Sequence, residues 1–181
     1  MQRIQMQQGD LPRDAAVILS WIVKAKRQLT VAELQHALAV EVDTEELDEA
    51  NVPTAKHIIR ACAPLVTIDE ESSFTRLIHY ALQEFFEQPG TFWFPDAHAA
   101  IARTCITYLS FQAFDTGYCH SDEELERRLK SYTLYDYAAS NWGHHAREAS
   151  PLCRPEVMDF LQCEAKVEAS SQVLMASDGF S

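Results

Sequence analysis

Between residues 65 and 78 the chain reads LVTIDEESSFTRLI, and this stretch constrains the fold more than any other. Leu65, Val66 and Ile68 precede the polar run DEESS, and Phe74 to Ile78 follow it. Two short runs rich in β-branched residues around a polar turn predict a β-hairpin. The residues on either side have helical spacing instead. A hairpin set among helices restricts the first half of the chain to a few architectures.

Upstream, Ala15, Ile18, Leu19, Ile22 and Ala25 form one stripe of an amphipathic helix over residues 15–26. In LTVAELQHALAV, Thr30 and Glu33 have the spacing of a capping box, and Leu34, Ala37 and Leu38 continue the apolar face. PTAKHIIRACAP predicts a third short helix, with Pro53 near its start and Pro64 after its end. Downstream of the hairpin, YALQEFFEQ returns to helix and ends before Pro89. Three helices, a hairpin and a closing helix outline a winged-helix domain over residues 11–90.

The segment PGTFWFPD, residues 89–96, breaks the chain with turn formers, and its aromatics suit a packed joint. Asp96 can cap the next helix, striped by Ile101, Cys105, Tyr108 and Leu109. SDEELERRLKS carries a second capping box at Ser121 and Glu124, and LYDYAASNWGHHARE is a further helix. RPEVMDFLQCEAKVEAS reads as the last, with Val157, Phe160 and Leu161 inward. Residues 92–170 therefore form an all-helical domain, and the expected fold class is mainly α. Residues 1–10 are expected to be a disordered tail and 171–181 a frayed one. Trp21 is expected in the first core and Trp142 as the anchor of the second.

The 181 residues are 47% apolar and 23% charged, enough to bury a real core. No apolar run is long enough to cross a membrane, so no membrane partner is expected. Five scattered cysteines (62, 105, 119, 153 and 163) without a CxxC pair suit reduced thiols in a cytosolic or nuclear setting, and a cytoplasmic location is expected. The net charge of −12 opposes binding to the phosphate backbone of nucleic acid. Part of it lies in EVDTEELDEAN, residues 41–51, which reads as a solvated acidic loop.

Three kinds of chemistry can be weighed on this chain. NWGHHAR invites a metal reading, with His144, His145, Cys153 and Cys163 as ligands of a metal-dependent hydrolase. Adjacent residues on a helix point roughly 100° apart, and the i, i+4 pair of a helical zinc site is missing. His144 and His145 are therefore assigned to structure or interdomain hydrogen bonds, with no metal expected. Nucleophilic catalysis would need a GxSxG elbow or a cysteine protease signature, and the residues contain neither. The alternative of a DNA-binding winged helix would use Lys56, His57 and Arg60 on the third helix. Its wing turn, Asp69-Glu70-Glu71, is acidic where phosphate asks for Lys or Arg.

ILSWIVKAKRQLTVAELQHALAVE, PLVTIDEESSFTRLIHYALQEFF and LYDYAASNWGHHARE resemble the segment after the NACHT ATPase module in fungal NACHT–ankyrin proteins. These are STAND-type signal-transduction ATPases related to animal NOD-like receptors. The first half resembles the "GPI inositol-deacylase winged helix domain". The resemblance covers about residues 11–170. It rests on LSWI, LTVAELQHALAV, IHYALQEFF and NWGHHARE together. It implies a non-enzymatic regulatory module that folds against a nucleotide-binding module at rest. A histidine in a motif like IHYALQEFF then reaches the β-phosphate of ADP, and His79 holds the matching position. The alternative is that His79 merely caps or packs.

The implied partners are a NACHT nucleotide-binding module and ankyrin-type repeats, in cis or in trans. No P-loop GxxxxGK[ST] and no GxGxxG is present, so the isolated chain is expected to hold no cofactor and to neither bind ATP tightly nor hydrolyse it. It begins where the ATPase module would end and stops where ankyrin repeats would start. The resemblance thus implies a fragment, a truncated product, or a remnant acting through partners.

Overall fold

The computed structural model describes residues 11–62, 64–88, 93–149 and 151–178. The expected disordered tail at 1–10 lies outside the described residues. The chain is mainly α and divides into two compact units, Met1–Leu38 with Asn51–Ala97 and Ala39–Ala50 with His98–Ser181.

The first unit is a winged helix. Helix α1 spans Leu11–Lys24, α2 Val31–Ala39 and α3 Ala55–Cys62. Strands β1 (Val66–Ile68) and β2 (Thr75–Leu77) follow, and α4 (Tyr80–Glu87) closes the unit. Ala15, Ile18, Leu19 and Trp21 of α1 are buried with Leu34, Ile58, Ala61, Val66 and Phe86. Each of the larger aliphatic side chains and Phe86 contributes roughly 1.5–3 kcal/mol by leaving water. The buried stripe of α1 includes Trp21 and Val23, whereas Ile22 and Ala25 are only half-buried. Contacts with α3, α4 and β2 explain the difference, because a helix packed from several directions buries more than one stripe.

The Thr30–Glu33 capping box forms. Glu33 N–H donates to Thr30 Oγ1 at 3.2 Å, and Thr30 N–H donates to Glu33 Oε2 at 2.8 Å. The same carboxylate, buried at 6% exposure, accepts two hydrogen bonds from the Arg27 guanidinium at 2.7 and 3.1 Å. The hairpin is antiparallel, with Val66 opposite Leu77 and Ile68 opposite Thr75. Its turn is built on Asp69, whose carboxylate accepts from the N–H groups of Glu71 and Ser72 and from Ser72 Oγ. Ser73 takes φ 58°, where local hydrogen bonding offsets the usual cost for a non-glycine residue. The residues before α2 pair with β2. Thr75 N–H donates to the Leu29 carbonyl and Val31 N–H to that of Ser73, around an antiparallel bridge between Thr30 and Phe74. The wing is thus anchored by a strand-like segment that the sequence pattern does not reveal. Trp93 and Phe94, in the expected joint, pack their rings on Phe86 of α4.

The second unit's regular structure is helical, with no strand among its described residues: α5 Ala97–Leu109, α6 Asp122–Ser131, α7 Tyr135–Ala149, α8 Arg154–Gln162 and α9 Glu164–Asp178. Tyr108, Phe111, Phe114, Tyr135 and Tyr137 are among its largest fully buried side chains. Phe114 and Tyr135 stack with ring centroids 4.6 Å apart. Trp142 is not that core's anchor. It is half-buried, with its ring edge-on to Phe160 at 5.2 Å. Trp21, by contrast, sits in the first core at 2% exposure.

Two readings of the C-terminal region need correction. RPEVMDFLQCEAKVEAS is two helices, broken at Cys163, and Leu161 is exposed while Phe160 points inward. Residues 171–178 are helix rather than fraying chain, and residues 179–181 lie outside the described residues. The cause is packing: Val173 is buried, and the Gln172 amide bonds both the N–H and the carbonyl of Cys119, at 2.7 and 2.9 Å. The Ala39–Ala50 segment, read as part of the winged helix, groups with the second unit, where the Gln112 N–H donates to the Glu45 carbonyl.

Candidate functional site

His79 is the N-cap residue of α4, with φ −137° and ψ 137°, directly after the second wing strand. The extended backbone of β2 delivers it to the point where the chain turns into helix. Its side chain makes no capping hydrogen bond and is exposed. Tyr80 beside it is 77% exposed. The exposed imidazole stands at a helix start, where unsatisfied N–H groups carry partial positive charge.

A cleft of about 390 Å³ opens at this point. Arg27, Arg76, His79 and Tyr80 line it, with Ile22 and Gln83 among the rest, and no carboxylate contributes to the lining. Both arginines are held in place from outside the lining, Arg27 by Glu33 and Arg76 by Asp69 at 3.1 Å. Asp69 itself is held below the usual carboxylate range, first by the N–H and hydroxyl of Ser72 and then by Arg76. The cleft brings together an imidazole, a helix start and two guanidinium groups, each of the latter already paired with a carboxylate. His79 was singled out from sequence. Arg27 and Arg76 were not: the fold alone brings Arg27 to this cleft, and no local pattern marks Arg76 as facing it.

The other sequence candidates lie elsewhere. His145 is fully buried, its Nδ1 2.9 Å from His98 Nδ1 and its Nε2 2.9 Å from the Tyr137 hydroxyl. With both ring nitrogens committed, it serves structure. The His144 ring lies edge-on to His98 and to His145. Among the described residues no cluster of three His, Cys, Asp or Glu side chains could hold a metal. His98 was missed in the sequence because no local pattern links it to a partner 47 residues away. Burial pushes the Cys62 thiol up to about 12, and burial likewise raises Cys105, Cys119 and Cys153. All four are poor nucleophiles. On α3, His57 pairs with Asp14 at 2.8 Å, so the basic set available to DNA shrinks to Lys56 and Arg60.

Residues 3–92 match the family described as GPI inositol-deacylase, winged helix domain. The first unit belongs to this winged-helix family. The match spans helices α1 to α4, the β-hairpin and His79. No curated protein and no solved structure matches the chain. No helix among the described residues is long and apolar enough to cross a membrane.

Proposed function

We propose that this winged-helix chain is a non-enzymatic regulatory module. It packs on a NACHT-type nucleotide-binding module, senses the ADP-bound state through His79, and links that module to downstream repeats. The observation that carries this reading is His79 itself: exposed, without a capping bond, at the start of α4 in a cleft lined by Arg27 and Arg76 and by no carboxylate. An imidazole N–H there adds to the helix-start charge and can donate to a diphosphate oxygen. The carbonyl of His79 is already used by the Leu82 N–H, which fixes the backbone beneath the ring. A deacylase reading would need a serine nucleophile elbow, and the 181 residues hold no GxSxG.

A contact made only with the diphosphate would bias the closed state by a linkage typically worth roughly 1–3 kcal/mol. The test is ADP release from a NACHT-type module fused to this chain. His79→Ala should speed release by about 5–150-fold relative to the parent, while His79→Arg, which keeps a donor, should restore part of the retention. Equal release from parent and His79→Ala would dismiss the sensor role.

A further inference from the structure

We propose that the second unit carries a docking groove, between α7 and α8, for an acidic amphipathic helix of a partner protein. The groove has a volume of about 500 Å³ and is lined by Trp142, Gly143, Ala146, Arg147, Arg154 and Val157. Its floor is apolar. Trp142 is propped edge-on against Phe160 and leaves part of its ring open. A Cβ built on Gly143 would meet nothing within 4 Å, so the wall at that position is open space.

The floor continues beyond the cavity. Arg154, Val157, Met158 and Leu161 occupy positions i, i+3, i+4 and i+7 of α8, which places them on one face. Met158 and Leu161 are 50% and 48% exposed. A small anion would leave that stripe in water, whereas a helix laid along it would cover it.

Charge selects the kind of helix. In a chain with net charge −12, the groove has an arginine on each wall, Arg147 from α7 and Arg154 from α8. Both side chains are exposed and neither makes an ion pair or a side-chain hydrogen bond among the described residues. Three other arginines of the chain are paired with carboxylates, Arg27 with Glu33, Arg76 with Asp69 and Arg103 with Glu156. An aromatic ring with two unpaired guanidinium groups beside it is the residue set that anchors protein interfaces. The matching occupant carries bulky apolar residues at helical spacing, bordered by Asp or Glu able to take the two guanidinium groups in bidentate pairs.

The test is selection of a displayed library of helix-forming peptides against the full-length chain, followed by anisotropy titration of the enriched peptides. Enrichment of Leu, Phe or Trp at helical spacing with flanking Asp or Glu supports the proposal. Gly143→Leu, whose Cβ would meet nothing within 4 Å and whose side chain extends into the groove, should then weaken binding by about tenfold or more. Arg147→Glu with Arg154→Glu should weaken it similarly and turn the preference toward Lys-flanked peptides. Circular dichroism melts establish that each variant is folded. Absence of enrichment, equal binding of Glu- and Lys-flanked peptides, or binding indifferent to both variants would overturn the proposal. So would a dimer by sedimentation that Gly143→Leu dissolves, since the groove would then be filled by a second copy.

Discussion

His145 has no exposed surface, yet it is a polar ring with two nitrogens to satisfy. Of the two facing Nδ1 atoms of His98 and His145, one carries a proton and donates while the other accepts. Tyr137 serves the remaining nitrogen of His145. Two cationic rings would bring donor against donor, so the pair holds together only when at least one ring is neutral. His145→Ala removes the ring and strips the Tyr137 hydroxyl and His98 of this buried partner. Its expected cost is about 2–4 kcal/mol, seen as a lower urea midpoint with unchanged slope. Gly143, two residues earlier on the same helix, should behave in the opposite way. Alanine fits there without contact, and removing a helical glycine should stabilise the unit by about 0.5–1 kcal/mol. What the sequence conveyed here was partial: adjacent histidines on a helix diverge, so no shared metal is expected, but the partner of His145 lies too far along the chain to be read from spacing.

Among the elements, the wing has a turn built on one ionised carboxylate. Asp69 organises its turn through bonds to Ser72 and Glu71 and through the ion pair with Arg76 on β2. Because these partners favour the ionised form, its pKa in the fold lies below that of the unfolded chain, near 3.9 for a free aspartate. The stabilisation is therefore fully present above about pH 4 and is lost as pH falls through the lower folded value. Thermal melts of the parent and Asp69→Ala should differ at neutral pH and converge in acid; a gap that persists unchanged to low pH would assign the loss to something other than the charge. The elements themselves were largely legible, because hairpins, capping boxes and apolar stripes are local. At Ser121 only half the box formed: its hydroxyl accepts from the Glu124 N–H, but the Glu124 carboxylate takes the His120 N–H. The strand-like Leu29–Val31 segment and the long final helix were illegible for one reason. Pairing with the wing and burial of Val173 are long-range facts that no window of sequence contains.

Across the molecule, charge separates the readings of a winged helix more sharply than shape does. The fold that reads DNA in other settings would present α3 and the wing to phosphate. In this chain α3 offers exposed Lys56 and Arg60 with His57 tied to Asp14, and the wing offers Asp69, Glu70 and Glu71. With a net charge of −12, approach to a duplex costs energy at every separation shorter than the screening length of about 8 Å at physiological salt. The His79 cleft is the local exception on the first unit, and it is far too small for a duplex at about 390 Å³. A random duplex should therefore show no retention at about 0.15 M salt, and binding that emerges on lowering the salt should be weak and no stronger than that of Lys56→Ala with Arg60→Ala. A diphosphate presented by a folded partner differs in kind. The proposed ligand would offer concentrated charge, and the partner's own surface could match the acidic remainder. Measurable affinity for duplex with a steep salt slope, lost in the Lys56 and Arg60 variant, would return the winged helix to nucleic acid and leave the cleft at His79 without its proposed ligand.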